Sequence, residues 1–226
     1  YGQFESILQN EFIRHGISGS VPIFMTEVGC GGGLPTPEPD RNLAQATGLT
    51  AYEYCARHSK QLRIFPWVLF HKRQQACYAQ FTQELTMTPF GAAVKVWSLN
   101  KSNEISATVQ NNRKKVQIYA YSTMDDTGLA IQVWRYRPFI EGETKQDGST
   151  EAAGITIAKL PVAWNDRKLK IRQYLIDSNH SNCFATNGDK SGLEEVSNQI
   201  IDRQNLGQLS IKLEPNAICL WLIEPQ

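Results

Sequence analysis

The chain has no surplus of charge of either sign: 23 Lys and Arg stand against 22 Asp and Glu over 226 residues. A nucleic-acid binder carries a basic excess, so no such partner is expected. No apolar run reaches the ~18 residues of a membrane helix, so no membrane partner is expected either. Glycine (16) and proline (10) stand near average usage, which excludes collagen-like and low-complexity chains. There is no C-x-x-C and no Cys/His spacing of a metal site, so no structural zinc and no cofactor are expected. Gly29–Gly33 (GCGGG) follows a strand-like run but lacks the G-x-G-x-x-G spacing of a dinucleotide site. The five cysteines are an odd number, which excludes a fully paired internal framework. Cys55 and Cys219 lie in apolar runs and read as buried thiols. Cys30 lies in the Gly-rich loop, as a loop thiol or a reactive one. The sequence opens on Tyr1 with no initiator Met, and Tyr1–Arg14 lacks a basic start followed by an apolar core. A processed chain or a piece of a longer polypeptide is the expectation. The sequons at Asn100 and Asn179 point weakly to a secreted or extracytoplasmic protein.

What is present is a globular composition, 41% hydrophobic and 10% aromatic. In the N-terminal part, Phe4, Ile7, Leu8 and Phe12 recur at helical spacing, which predicts an amphipathic helix over Phe4–His15, ended by Gly16 and Gly19. Val21–Val28 (VPIFMTEV) reads as a strand buried on both faces. After a Gly/Pro-rich loop, Asp40 is placed to cap a helix over Arg41–Lys60. Leu62–Phe70 (LRIFPWVLF) reads as a second buried strand. Thr88–Leu99 reads as a third helix, with Pro89 in its first turn. Strands separated by helices predict βα units and a parallel sheet. Two parallel strands cannot bury both faces alone, so this stretch is expected to complete something larger.

Beyond Asn100 short strand-like runs take over: Ile105–Val109, Val116–Ser122, Leu129–Tyr136, Ala153–Ala158, Leu169–Asp177, Gln208–Leu213 and Ala217–Ile223. Polar turns separate them, among them Asp125–Gly128 and Pro215-Asn216, and one helical patch is expected at Gly192–Asp202. The pattern predicts an antiparallel β-sandwich. The expected division is residues 1–102 and residues 103–226.

Glu27 stands at the C-terminal end of a strand, where (β/α) barrels build their active sites. A dry, unpaired carboxylate there costs several kcal/mol, so it is either a catalytic group or paired with a basic neighbour. Trp67, near the end of the second strand, can floor a sugar site or fill a core. His71 is a ligand-binding, capping or surface histidine.

Taken in order, these segments resemble a known group of enzymes. Pro22–Gly29 (PIFMTEVG) resembles the seventh barrel strand of clan A glycoside hydrolases, which carries the nucleophile in a Thr-Glu pair. Arg63–His71 (RIFPWVLFH) resembles the eighth strand, which ends near a Trp lining the sugar subsite. TPFGAAVKVWSLN resembles the eighth helix. Gly128–Pro138 (GLAIQVWRYRP), Arg172–Asn182 (RQYLIDSNHSN) and the closing LEPNAICLWLIEP resemble the accessory sandwich of family 39, the β-xylosidases and α-L-iduronidase. The Asp177-x-x-His180-Ser181-Asn182 stretch is the most specific of these.

The resemblance implies the last two strands of a (β/α)8 barrel with their helices, followed by a β-sandwich. It implies a retaining hydrolase with a carbohydrate substrate, Glu27 as nucleophile, and Trp67 and His71 in substrate binding. The acid/base should follow an Asn on the fourth barrel strand. The only Asn-Glu pairs, Asn10-Glu11 and Asn103-Glu104, fall on the first helix and past the barrel part, and both read as solvated charges. The acid/base and the first six strands would then come from an N-terminal portion of the same protein or from a second chain. By itself the chain is expected to be inactive and prone to aggregate. The competing readings are a degenerate hydrolase homologue and a non-catalytic sugar-binding or structural sandwich that uses exposed aromatics such as Trp134, Tyr136 and Trp164.

Overall fold

The computed structural model describes residues 2–28, 39–66, 68–70, 79–109, 117–137, 149–157, 159–185 and 190–226. Helix α1 (Gly2–Arg14) leads into strand β1 (Ile23–Val28), helix α2 (Pro39–Arg57) and strand β2 (Leu62–Pro66), and β1 and β2 pair in parallel. The α–β–α–β order read from periodicity is therefore present. α1 turns Leu8 and Phe12 onto Ile23, Leu62, Met25 and Ile64, together with Ala56 of α2. Ile7, expected on the same stripe, is instead 61% exposed. α2 begins at Pro39, one residue before the Asp40 expected to cap it.

Helix α3 (Pro89–Ser98) starts where the sequence placed it. Thr88 caps it by accepting a hydrogen bond from Gly91 N at 3.1 Å, and Pro89 takes the first turn, where a missing N–H costs nothing. α2 is buried without a break from Asn42 to Thr50 because α3 lies on one side of it and a sheet lies beneath both. Inside that apolar setting Thr47 and Thr50 return their hydroxyls to helix carbonyls, each at 3.0 Å, at Leu43 and Ala46.

The sheet beneath the helices is antiparallel, in the order β3 (Asn103–Ile105), β4 (Ile118–Asp125), β5 (Gly128–Arg135), β10 (Ile218–Pro225), β7 (Lys168–Ile176), β8 (Glu194–Asp202). β6 (Glu151–Ile155) and β9 (Leu209–Leu213) form a separate antiparallel pair. Asp125 closes the β4–β5 hairpin by accepting from Thr127 N at 2.8 Å and Thr127 Oγ1 at 2.6 Å. These hydrogen bonds hold its carboxyl below the usual carboxylate range. Gly128 is required there because a Cβ would stand 2.8 Å from the carbonyl oxygen of Ile223.

The two central strands bury both faces. Ala130, Trp134, Ile218, Leu220 and Leu222 point toward α2 and α3. Leu129, Ile131, Val133, Cys219, Trp221 and Ile223 point toward β6, β9 and the short turn at Val162–Trp164. Each such fully buried side chain contributes roughly 1.5–3 kcal/mol of hydrophobic stabilisation. Helices, large sheet and small sheet thus make layers about two cores, one on each face of the large sheet.

Three expectations are corrected. The patch Gly192–Asp202 is not helical: Glu194–Asp202 is strand β8, an edge strand held by β7, so pairing overrides the local helical spacing. Val21–Val28 is not buried on both faces, since Phe24, Thr26 and Glu27 are exposed. Of the expected glycan-facing aromatics, Trp134 is 0% and Trp164 4% exposed, so both are core residues. No helix among the described residues is long and apolar enough to cross a membrane.

Candidate functional site

The register of β1 on β2 runs Ile23↔Leu62, Phe24↔Arg63, Met25↔Ile64, and then shifts, so that Val28 meets Pro66. Thr26 and Glu27 together stand opposite Phe65 alone, which is a β-bulge. The bulge decides where the carboxylate goes. In a regular strand Glu27 would share the helix-facing side of Ile23 and Met25. With one extra residue, Thr26 and Glu27 both lie exposed and Val28 returns to burial, 2% exposed. Glu27 is therefore exposed at the C-terminal end of β1. It makes no hydrogen bond or ion pair with any described residue, so the paired-glutamate reading finds no partner there. Trp67 and His71, the expected substrate-binding residues, lie outside the described residues, as do Cys30 and Cys77.

A cavity of about 300 Å³ lies on the helix side of β2, lined by Glu53, Ala56, Arg57, Ser59, Leu62 and Arg63. Burial raises the Glu53 carboxyl above the usual carboxylate range, and the nearby Arg57 guanidinium works against that rise. The two Asn-Glu pairs stay away from β1. Glu11 lies 3.2 Å from Arg14 and 3.8 Å from His15 on α1, and Glu104 lies 2.9 Å from His58. Among the described residues no group of three His, Cys, Asp or Glu could hold a metal ion.

The Asp177–Asn182 stretch closes the end of β7. Asp177 Oδ1 accepts from the backbone N–H of Asn179 and of His180, both at 2.8 Å, and lies 2.9 Å from His180 Nδ1. Ser181, at φ +53°, donates its hydroxyl to the Leu175 carbonyl at 2.6 Å and accepts from Glu194 N at 2.9 Å. The hydroxyl is spent on both bonds, so the stretch acts as a brace between β7 and β8 and not as a nucleophile with its base. Sequence reasoning missed the bulge, because two exposed residues in succession look like any strand end. It also missed the partners of Asp177 and Ser181, because they lie along the backbone and not in the motif.

No protein-family model matches the chain, and no curated protein matches it. Solved structures do. A monomeric β-xylosidase from Caulobacter crescentus CB15 superposes with a TM-score of 0.73 at 11% identity, covering 98% of this chain and 49% of that one. A family 39 glycoside hydrolase from Xanthomonas axonopodis pv. citri gives 0.70 at 11% identity, covering 98% and 48%. A family 30 endoxylanase from Clostridium papyrosolvens C71 gives 0.52 at 10% identity, covering 90% and 42%. The chain spans about half the length of each of these structures. At such identities the likeness is one of fold, and the fold of this chain is that of the C-terminal half of family 39-type and other clan A glycoside hydrolases, without a closed barrel among its described residues.

Proposed function

We propose that this chain is the C-terminal portion of a retaining glycoside hydrolase that cleaves a β-xyloside or a related glycoside, with Glu27 as its nucleophile. The observation that supports the reading is Glu27 itself: an exposed carboxylate at the C-terminal end of a parallel strand, next to a bulge. The likeness to half of a β-xylosidase supports it.

In the mechanism, Glu27 attacks the anomeric carbon, the C–O bond to the leaving group breaks, and a glycosyl-enzyme forms. A carboxylic acid about 5–5.5 Å away protonates the departing oxygen, then deprotonates the water that releases the sugar. That acid/base would come from the barrel portion this chain does not contain. Trp67 would offer an indole face to the sugar, and His71 would hydrogen-bond it. The division into a barrel part, 1–102, and a sandwich, 103–226, belongs to the same proposal. A sugar-binding sandwich that works through Trp134 or Trp164 is disfavoured by their burial.

The first test is the mass and native size of the protein as purified. A longer parent chain, or a second species of roughly 25–35 kDa, is expected, since a full barrel takes about 250 residues. A lone folded monomer of this mass overturns the shared barrel. In the complete protein, Glu27→Gly should abolish hydrolysis of aryl glycosides. Azide should then restore turnover and release a glycosyl azide of inverted configuration. An unchanged rate in Glu27→Gly removes Glu27 from the mechanism.

A further inference from the structure

Two extended runs continue past the ends of their strands without a partner. After β3, burial still alternates: Ile105, Ala107 and Val109 are half-buried, and Ser106 and Thr108 are exposed. After β6, Ile155 is buried, Thr156 exposed and Ile157 half-buried. A period of two is the pattern of a strand. Yet Ser106, Ala107, Thr108, Thr156 and Ile157 make no backbone hydrogen bond with any described residue.

Between the two runs lies a cavity of about 460 Å³. Its floor is Ser122 of β4 with Leu129 and Ile131 of β5, on the face of the large sheet turned toward β6 and β9. Its walls are Ile105–Thr108 and Gly154–Ile157. No residue of β9 lines it, so it runs along the edge of β6 opposite β9. Among the described residues the small sheet has two strands against the six of the large one. Ile105, Val109 and Ile157, beside the cavity, are accordingly only partly buried against that core. Unpaired backbone beside an open apolar floor is a template for one more strand. A sugar would need several polar groups converging on it, and this floor offers one hydroxyl.

We propose that this cavity receives an extended segment of the protein's N-terminal portion, which adds to the open edge of β6 as a third strand of the small sheet. Its backbone would pair with Thr156 and Ile157, and its inward, apolar side chains would rest on Leu129 and Ile131. The occupant follows from length. The chain spans about half of each structure on which it superposes, and the reading above places a portion of comparable size before residue 1. A segment tied to the same chain meets the cavity at a high effective concentration, which a separate peptide lacks. The proposal rests on the existence of that portion, and not on Glu27 or on any activity. It makes the sandwich a joint product of both ends of the protein.

The test uses the complete protein. Hydrogen–deuterium exchange, read by mass spectrometry, should show the amides of Thr156 and Ile157 exchanging as slowly as those of the β6–β9 ladder. Fast exchange there, in a protein that does carry an N-terminal portion, overturns the strand and leaves the shared barrel standing. A native protein of 226 residues overturns both. The occupant is identified separately. A photoreactive benzoylphenylalanine placed at Thr108, an exposed residue of the cavity wall, should on irradiation cross-link at the mass of a single chain. The cross-linked peptide should map to the N-terminal portion. A cross-link within residues 1–226, one to a second copy, or none overturns the proposal.

Discussion

The rings of Phe24 and Phe65 lie 6.0 Å apart, centroid to centroid, on the side of the β1–β2 pair away from its helices. They are 58% and 49% exposed, an unusual state for two phenylalanines in contact. Glu27, three residues further along β1, is exposed as well, and Phe24 with Phe65 forms an open apolar patch. If a barrel encloses it, Phe24→Ser with Phe65→Ser should have opposite effects in two settings. The 226-residue chain should become more soluble and bind less of a hydrophobic dye, while the complete protein should lose stability, by roughly 3 kcal/mol or more for two buried aromatics. Loss of stability in the short chain would show that the patch is already covered there.

Trp134 separates a core role from a sugar-binding one. Its ring stacks on Tyr119 at 5.5 Å and meets Tyr54 edge-on at 5.5 Å, with no exposure. Trp134→Ala should cost about 3–5 kcal/mol in urea unfolding. A variant of unchanged stability that loses affinity for oligosaccharide would instead restore the platform reading.

Gln132, two residues earlier on the same face, is fully buried, and neither polar atom of its amide finds a partner among the described residues. An unpaired buried amide costs roughly 1–3 kcal/mol. Gln132→Leu keeps about the same volume without that cost. We expect a neutral or stabilising change, of up to about 2 kcal/mol, in the unfolding midpoint. A clear destabilisation would mean that a group outside the described residues, or a bound water, satisfies the amide.

Burial pushes the Cys219 thiol up to about 12 and the Cys183 thiol up to about 11. Both should resist alkylation in the folded chain near pH 8 and react after denaturation, which peptide mapping by mass spectrometry would detect. The sign of the pH effect follows from the raised values. Unfolding lets these thiols ionise earlier, so the stability they contribute is intact below about pH 8.5, the free-thiol value, and is lost as pH rises toward the folded values. Cys219→Ala should flatten part of that alkaline loss, and an unchanged slope would count against the burial of Cys219.

The sequence alone determined most of the order of elements, because periodicity and turn residues act over a few positions. The parallel pair, helix α3 with Pro89 in its first turn, and the turn at Asp125–Gly128 were all legible, and so was the position of Glu27 at a strand end. Three features waited for tertiary structure. The run Glu194–Asp202 takes its conformation from β7, a partner 18 or more residues away in the chain. Trp134 alternates with Val133 in a strand with two apolar faces, so no pattern could tell core from surface until helices covered one side and β6–β9 the other. The exposure of Glu27 and the return of Val28 to burial depend on one extra residue in a register between two strands. Register is a relation between distant segments, and a strand's own residues do not encode it.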